Sequence, residues 1–166
     1  MGNARRLNGV TMGTIKTGLI KGTTSTYTTT VTSAGMINGK YVTGLTAQTN
    51  VATPTTDART AAAFPALTDN KATVLVIGQK ADSTIQMCQG SIEDTEVGVT
   101  TTAGAFIKAP QFPNLPDDFM VFGYNLVRTA PSASDFTAGT SSWTATGITA
   151  SEFVQCGVLP DRPQTS

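Results

Sequence analysis

The sequence contains no histidine, and only 13% of its residues are charged. A typical globular domain is about 25% charged, so most polar side chains on the surface of this protein must be uncharged. The absence of histidine excludes Ser-His-Asp and Cys-His catalysis, histidine-ligated zinc and a histidine pH switch. We therefore expect a protein that is not an enzyme and that binds no cofactor.

The sequence is also poor in cysteine and in long apolar runs. A structural zinc site usually needs four ligands in close pairs, whereas Cys88 and Cys156 lie far apart, so no metal is expected. The two cysteines are predicted to be buried as small apolar residues, with a disulfide between them as the alternative. No apolar run approaches the roughly 18 residues of a membrane-spanning helix, and no membrane partner is expected. The N-terminal residues lack the apolar stretch of a secretory signal.

Acidic residues are missing from the first third of the chain. The net charge is zero, but residues 1–56 carry five bases and no acid, and residues 57–166 carry eleven acids and six bases. This asymmetry predicts that the N-terminal part contacts an acidic surface. An acidic protein is favoured over nucleic acid, because the bases are widely spaced and only Tyr27 and Tyr41 precede Phe64 as aromatic residues for base stacking.

Good helix formers are scarce, with three Glu, eight Leu and six Lys against 31 Thr. Residues 27–32 alternate with period two, which is typical of a half-buried strand. Asn38-Gly39 stands between two apolar runs and predicts a hairpin with a type I′ turn. Residues 46–70 are rich in Thr, Ala and Pro without a period, which predicts a long loop with one helical turn near residues 61–64.

The strongest strand signal is the continuous apolar run of residues 72–79, which predicts a strand buried on both faces or paired centrally. Residues 84–91 are predicted to form a second hairpin with it, turning at residues 80–83. Residues 119–129 are the third strong strand, and weaker strands are predicted around Ile148 and Phe153. We therefore predict an all-β fold, an antiparallel sandwich or a small barrel.

The N-terminal residues differ from the rest of the chain. Glycines recur at positions 9, 13, 18 and 22, and the apolar residues between them are isolated. We predict an extended N-terminal arm over residues 1–26, a β-domain over residues 27–160 and a mobile tail over residues 161–166. The residues expected to bind a partner through this arm are Arg5, Arg6, Leu7, Lys16, Leu19, Ile20 and Lys21.

Two acidic clusters could suggest acid–base catalysis. Asp117 and Asp118 are adjacent where a proline-rich loop meets a strand, and Glu93, Asp94 and Glu96 fall in a turn. Both are interpreted as solvated turns, and no nucleophile-elbow, phosphate-loop or dinucleotide motif occurs. No catalytic residue is predicted.

The order of several segments resembles a known group of proteins. These segments are residues 74–79 (VLVIGQ), 85–90 (IQMCQG), 113–123 (PNLPDDFMVFG), 136–140 (FTAGT), 147–149 (GIT) and 158–160 (VLP). Over about residues 70–160, the chain resembles the β-modules of tailed-bacteriophage virion proteins, in particular capsid decoration (cement) and head-fibre proteins. The resemblance brings no catalytic residues with it.

The resemblance implies a non-enzymatic structural protein of the capsid exterior, made in the host cytoplasm and bound to the major capsid protein. It also implies a homo-oligomer, with a trimer favoured. The alternative is a receptor- or glycan-binding module of a head or tail fibre, in which an exposed Trp143 stacks on a sugar. A lone tryptophan is more often a core or interface residue. The N-terminal arm separates the two functions, because a decoration protein needs it on the shell and a fibre module should bind its target without it.

Overall fold

The structure, a computed structural model, describes residues 10–164. Twelve strands form three antiparallel sheets in this part of the chain, which contains no helix. The predicted all-β fold is confirmed; no sheet closes into a barrel, and the arrangement is consistent with a sandwich. The strands are β1 (Met12–Gly13), β2 (Ile20–Lys21), β3 (Thr26–Thr29), β4 (Ala34–Ile37), β5 (Lys40–Thr43), β6 (Gln48–Ala52), β7 (Lys71–Gln79), β8 (Ile85–Gln89), β9 (Glu93–Asp94), β10 (Met120–Thr129), β11 (Ile148–Ala150) and β12 (Val154–Gln155).

The largest sheet is built on the two longest strands. Strands β7 and β10 pair side by side, with β8 and β9 on the far side of β7, and β11 and β12 on the far side of β10. Every β7 residue after Lys71 is buried, because side chains from both faces of the strand enter separate core clusters. This confirms the central, doubly buried strand that the apolar run predicted.

The two predicted hairpins are present. In the first, Ile37 of β4 pairs with Lys40 of β5, and Asn38 and Gly39 have φ values of 50° and 75°, as a type I′ turn requires. In the second, Gln79 of β7 pairs with Ile85 of β8 and the intervening residues make the turn. Both registers follow from local signals, which is why the sequence located them.

Two smaller sheets complete the fold, with strand orders β1-β4-β5 and β2-β3-β6. In β3, Tyr27 and Thr29 are buried while their neighbours are only partly covered, as the period-two pattern predicted. The strand ends at Thr29, however, and Val31 is exposed. The predicted loop over residues 46–70 contains strand β6, whose mostly exposed side chains carry no apolar period.

The helical turn predicted near residues 61–64 is wrong. Ala61 adopts a positive φ of 57°, and an isolated bridge joins Thr56 to Ala63. The run of alanines that suggested helix is exposed, so no amphipathic face exists to stabilise one. This segment is instead attached to the sheet through backbone contacts, including a bond from the Ala58 amide to the Met87 carbonyl of 2.9 Å.

Both cysteines are free, so the disulfide alternative is wrong. Cys88 is buried in β8 and Cys156 is partly buried against the same cluster. Burial raises the pKa of the Cys88 thiol to about 12, so this thiol stays protonated and unreactive in the folded protein.

The end of the chain also contacts the domain within the described residues. Pro163 is buried, and the Gln164 amide donates to the Tyr124 hydroxyl over 3.1 Å. The tail predicted from residue 161 is therefore packed up to Gln164 rather than detached. A single buried proline gave no periodic signal by which the sequence could show this contact.

Candidate partner-binding surface

Residues 10–26 of the predicted arm lie on the β-domain. Strand β1 pairs with β4 and β2 pairs with β3, so the segment joins both smaller sheets. Between the two strands, the Thr17 carbonyl accepts hydrogen bonds from the amides of Thr30 and Val31, at 2.9 and 3.1 Å. Residues 10–26 are therefore part of the folded domain and not an arm separate from it.

The structure separates the predicted binding residues into buried and exposed groups. Leu19 is fully buried in the cluster that contains Tyr27 and Ile77, so it is a core residue and not a binding residue. Lys21 donates to the Ala150 carbonyl over 2.6 Å and forms an ion pair with Glu152 at 3.3 Å. The predicted residues Arg5, Arg6 and Leu7 lie outside the described residues.

Lys16 and Ile20 are exposed, and two further apolar residues accompany them. Val10, Ile15 and Ile20 have 46%, 45% and 46% of their surface exposed, although they belong to a segment with ordered backbone partners. We call Val10, Ile15, Lys16 and Ile20 the N-terminal face. The sequence identified the residue types, but only the pairing of β2 with β3 decides that Leu19 points inward and Ile20 outward.

The N-terminal face combines half-exposed aliphatic side chains with a positive charge. No acidic residue occurs before Asp57, so nothing in the same stretch neutralises Lys16. A surface of this kind is complementary to an acidic surface that also offers apolar contacts. The pattern provides no nucleophile, base or acid for chemistry.

An open groove of about 650 Å³ lies beside the start of this segment. Its walls come from the β4–β5 turn, the proline-rich loop and the chain after β12, and include Thr11, Leu115, Asp117 and Leu159. The Thr11 hydroxyl donates to the Asp117 carbonyl over 2.7 Å, which fastens the loop to the N-terminal segment. Among the described residues that line the groove, Asp117 is the one carboxylate, and this is not the paired arrangement of a glycosidase.

Two of the three acids in the second cluster are engaged in ion pairs. Glu93 pairs with Lys108 at 3.2 Å and Asp94 pairs with Lys71, while both acids belong to the short strand β9. Within residues 10–164, no group of three acidic or cysteine side chains is arranged to hold a metal ion. The same range contains no helix with the length and apolar character that a membrane crossing requires.

Trp143 is buried, with 1% of its surface exposed. Its indole N–H donates to the Thr26 carbonyl over 2.9 Å, and its ring lies 5.7 Å from Phe136 and 6.2 Å from Phe153. The hypothesis that this tryptophan stacks on a sugar is therefore wrong.

One carboxylate is buried and was missed by sequence reasoning. Asp57 accepts hydrogen bonds from the Arg59 amide and guanidinium at 2.9 to 3.1 Å and from the Gln89 amide at 3.0 Å. Burial alone would raise its pKa, but these hydrogen bonds and the charge of Arg59 outweigh burial and hold the pKa below its ordinary value of 3.8. Asp57 accepts from the Gln89 amide, and the Arg59 guanidinium donates to the Gln89 carbonyl over 3.0 Å. These two bonds attach the loop before β7 to the edge strand β8, which is a structural role.

The Asp57 ion pair predicts a loss of stability in acid. The pKa is lower in the folded than in the unfolded state, so the contribution is present above pH 3.8 and disappears as the pH falls through the folded-state value. Asp57→Asn should lower the free energy of unfolding at pH 7 by about 2 kcal/mol, measured in urea. The difference between wild type and variant should shrink at pH 3, whereas exposed Asp135→Asn should change stability by less than about 0.5 kcal/mol at pH 7. An undiminished difference at pH 3 would contradict the assignment.

Comparison of the chain with protein-family models, with curated proteins and with solved structures found no match.

Proposed function

We propose that the protein is a non-enzymatic structural protein of a tailed-phage virion, a capsid decoration or cement protein that binds the outer surface of the major capsid protein. The observation that supports this most directly is the N-terminal face. It leaves Val10, Ile15 and Ile20 about half exposed and Lys16 exposed, on a segment with no acid. The order of strand segments over residues 70–160 supports the same class.

An ordered N-terminal segment changes how such binding would work. A free arm must lose about 1 kcal/mol or more of backbone entropy per residue when it binds, which cancels much of the contact energy. Residues 10–26 already have backbone partners in the single chain, so this cost is met during folding. Three half-exposed aliphatic residues would then contribute on the order of 1 kcal/mol each. Many copies on one shell would add avidity to this modest affinity.

The expected partners are the major capsid protein and further copies of the chain, with a trimer favoured. The alternative, a receptor- or glycan-binding module of a head or tail fibre, depended on an exposed Trp143. Because Trp143 is buried in the core, it cannot be the residue on which a fibre module would stack a sugar. The decoration protein is therefore the function that we propose.

The test uses capsids of the phage whose genome encodes the chain, prepared without this protein. Purified protein should co-sediment with these particles in many copies and bind less at high salt. The double variant Lys16→Glu, Ile20→Ser should bind about tenfold more weakly or worse, because it removes the charge and one apolar contact. The matched control is Lys80→Glu with Ile92→Ser, which alters a lysine and a half-exposed isoleucine elsewhere.

Two results would contradict the proposal. If the wild-type protein does not bind the particles, it is not a decoration protein. If the N-terminal variant binds as well as the control, the N-terminal face is not the contact surface. Circular dichroism of each variant checks that the β-fold is retained.

A further inference from the structure

Residues 95–106 form a small hairpin outside the three sheets. Isolated bridges join Thr95 to Phe106 and Val99 to Thr102. The Glu96 amide donates to the Ala105 carbonyl over 2.9 Å, and Val99 and Thr102 exchange backbone hydrogen bonds of 3.0 and 2.8 Å. The backbone of this hairpin is therefore paired from its base to its tip.

Polar groups of the β-domain contact the hairpin and fix its position. The Arg128 guanidinium lies 4.8 Å from the centre of the Phe106 ring and donates to the Gly104 carbonyl over 2.7 Å. The Asn70 side chain accepts from the Gly98 amide over 3.1 Å. A Cβ atom at Gly104 would lie 1.9 Å from the Glu96 carbonyl oxygen, so the two strands of the hairpin approach closely. These contacts order the hairpin without using its aliphatic side chains.

Those aliphatic side chains point into solvent. Val97 and Val99 in the hairpin and Ile107 next to it are 80%, 76% and 66% exposed, far more than the aliphatic residues of the N-terminal face. An ordered element that holds several aliphatic side chains in water marks an interaction surface. We call Glu96, Val97, Val99 and Ile107 the hairpin surface.

The hairpin surface also contains a carboxylate that has no ion-pair partner among residues 10–164. Glu93 and Asp94 precede it and have lysine partners, whereas exposed Glu96 forms no ion pair with any described residue. The partner should therefore offer apolar contact together with a positive charge.

The same chain offers such a surface at strand β5. This strand lies at the edge of its sheet, and its Tyr41 is 65% exposed. Lys40 beside it is exposed and forms no ion pair among residues 10–164, and no acid occurs before Asp57. We call Lys40 and Tyr41 the β5 surface. It belongs to a different sheet from Ile20.

We propose that the hairpin surface of one copy binds the β5 surface of a second copy. The acidic, aliphatic hairpin meets a basic, aromatic strand edge, which matches both charge and polarity. The two surfaces differ, so the contact is heterologous and generates a ring or a chain of copies. This inference holds whether or not the protein coats a capsid, and it is tested on the purified chain alone.

The experiment uses sedimentation velocity on the full chain and on three double variants. Val97→Ser with Val99→Ser disables the hairpin surface, and Lys40→Glu with Tyr41→Ser disables the β5 surface. Each should weaken self-association about tenfold or more. The matched control, Val31→Ser with Val51→Ser, alters two other exposed valines and should associate like the wild type.

Mixing the two disabled variants gives the decisive result. One retains the β5 surface and the other retains the hairpin surface, so an equimolar mixture should form one-to-one dimers and nothing larger. In a second experiment, the single variants Glu96→Lys and Lys40→Glu should each weaken self-association, and the variant that combines them should restore it. This second experiment keeps the proposal testable if the serine variants unfold.

Four results would overturn the proposal. They are a wild-type protein that stays monomeric at about 1 mM, disabled variants that associate normally, a mixture that forms no dimer, and a charge reversal that does not restore association. Loss of association in the hairpin variants alone would indicate a hairpin-to-hairpin contact. Binding of the hairpin surface only to another protein would likewise exclude the second copy as partner.

Discussion

Replacing Trp143 with alanine should lower the free energy of unfolding by about 3–5 kcal/mol, the largest effect of any single substitution that we predict. The ring is buried between Phe136 and Phe153, so its removal leaves a cavity in the core. The indole N–H bond to the Thr26 carbonyl is lost as well. This bond joins the connection between β10 and β11 to strand β3.

Urea unfolding at pH 7 measures this effect. Trp143→Phe separates its two parts, because phenylalanine retains most of the packing but cannot donate to Thr26. It should cost less than the alanine variant, with about 1 kcal/mol attributable to the missing hydrogen bond. A loss of less than about 1 kcal/mol for Trp143→Ala would show that the ring is not a core residue.

Leu19→Ala should destabilise the protein by about 2–5 kcal/mol, whereas Ile20→Ala should change stability by less than about 0.5 kcal/mol. The two residues are adjacent, but Leu19 is fully buried and Ile20 is 46% exposed. The pair of variants therefore measures whether the N-terminal segment is part of the folded domain. Each variant can be compared with the wild type by urea unfolding and by thermal melting.

If the N-terminal segment did not contact the β-domain, the stability measurements would give the opposite outcome. Leu19→Ala would then be as harmless as Ile20→Ala, and removal of residues 2–22 would leave the domain equally stable. With Leu19 in the core and β2 paired to β3, that deletion should instead destabilise or unfold the domain. A stable domain after the deletion would contradict the structure described here.

The strand content could be predicted from the sequence because local signals carry it. The apolar run of β7 and the Asn38-Gly39 turn depend only on neighbouring residues, and both are confirmed. Strand β6 was missed because its side chains are largely exposed and its pairing with β3 uses the backbone. Strands β1 and β2 were missed as well, since strands of two residues show no period.

The candidate surface was predictable only in part. Composition identified a basic N-terminal segment, and the structure leaves Lys16 and Ile20 exposed there. Composition could not show that Ile20 is exposed while Leu19 is buried, because this depends on the pairing of β2 with β3. The ion pair of Asp57 with Arg59 was equally hidden, since nothing in the sequence shows that this loop returns to β8.

The placement of the N-terminal residues in the core has a consequence for synthesis on the ribosome. Leu19, Tyr27 and Ile37 are translated early, but the cluster that buries them also needs Ile77 and Met120. Strand β10 must therefore be synthesised before this cluster can bury these side chains completely. The growing chain must carry unburied apolar residues through most of its translation, and folding becomes cooperative only when the last third has left the exit tunnel. Rapid elongation and chaperone binding to the nascent chain would both favour a good yield of native protein.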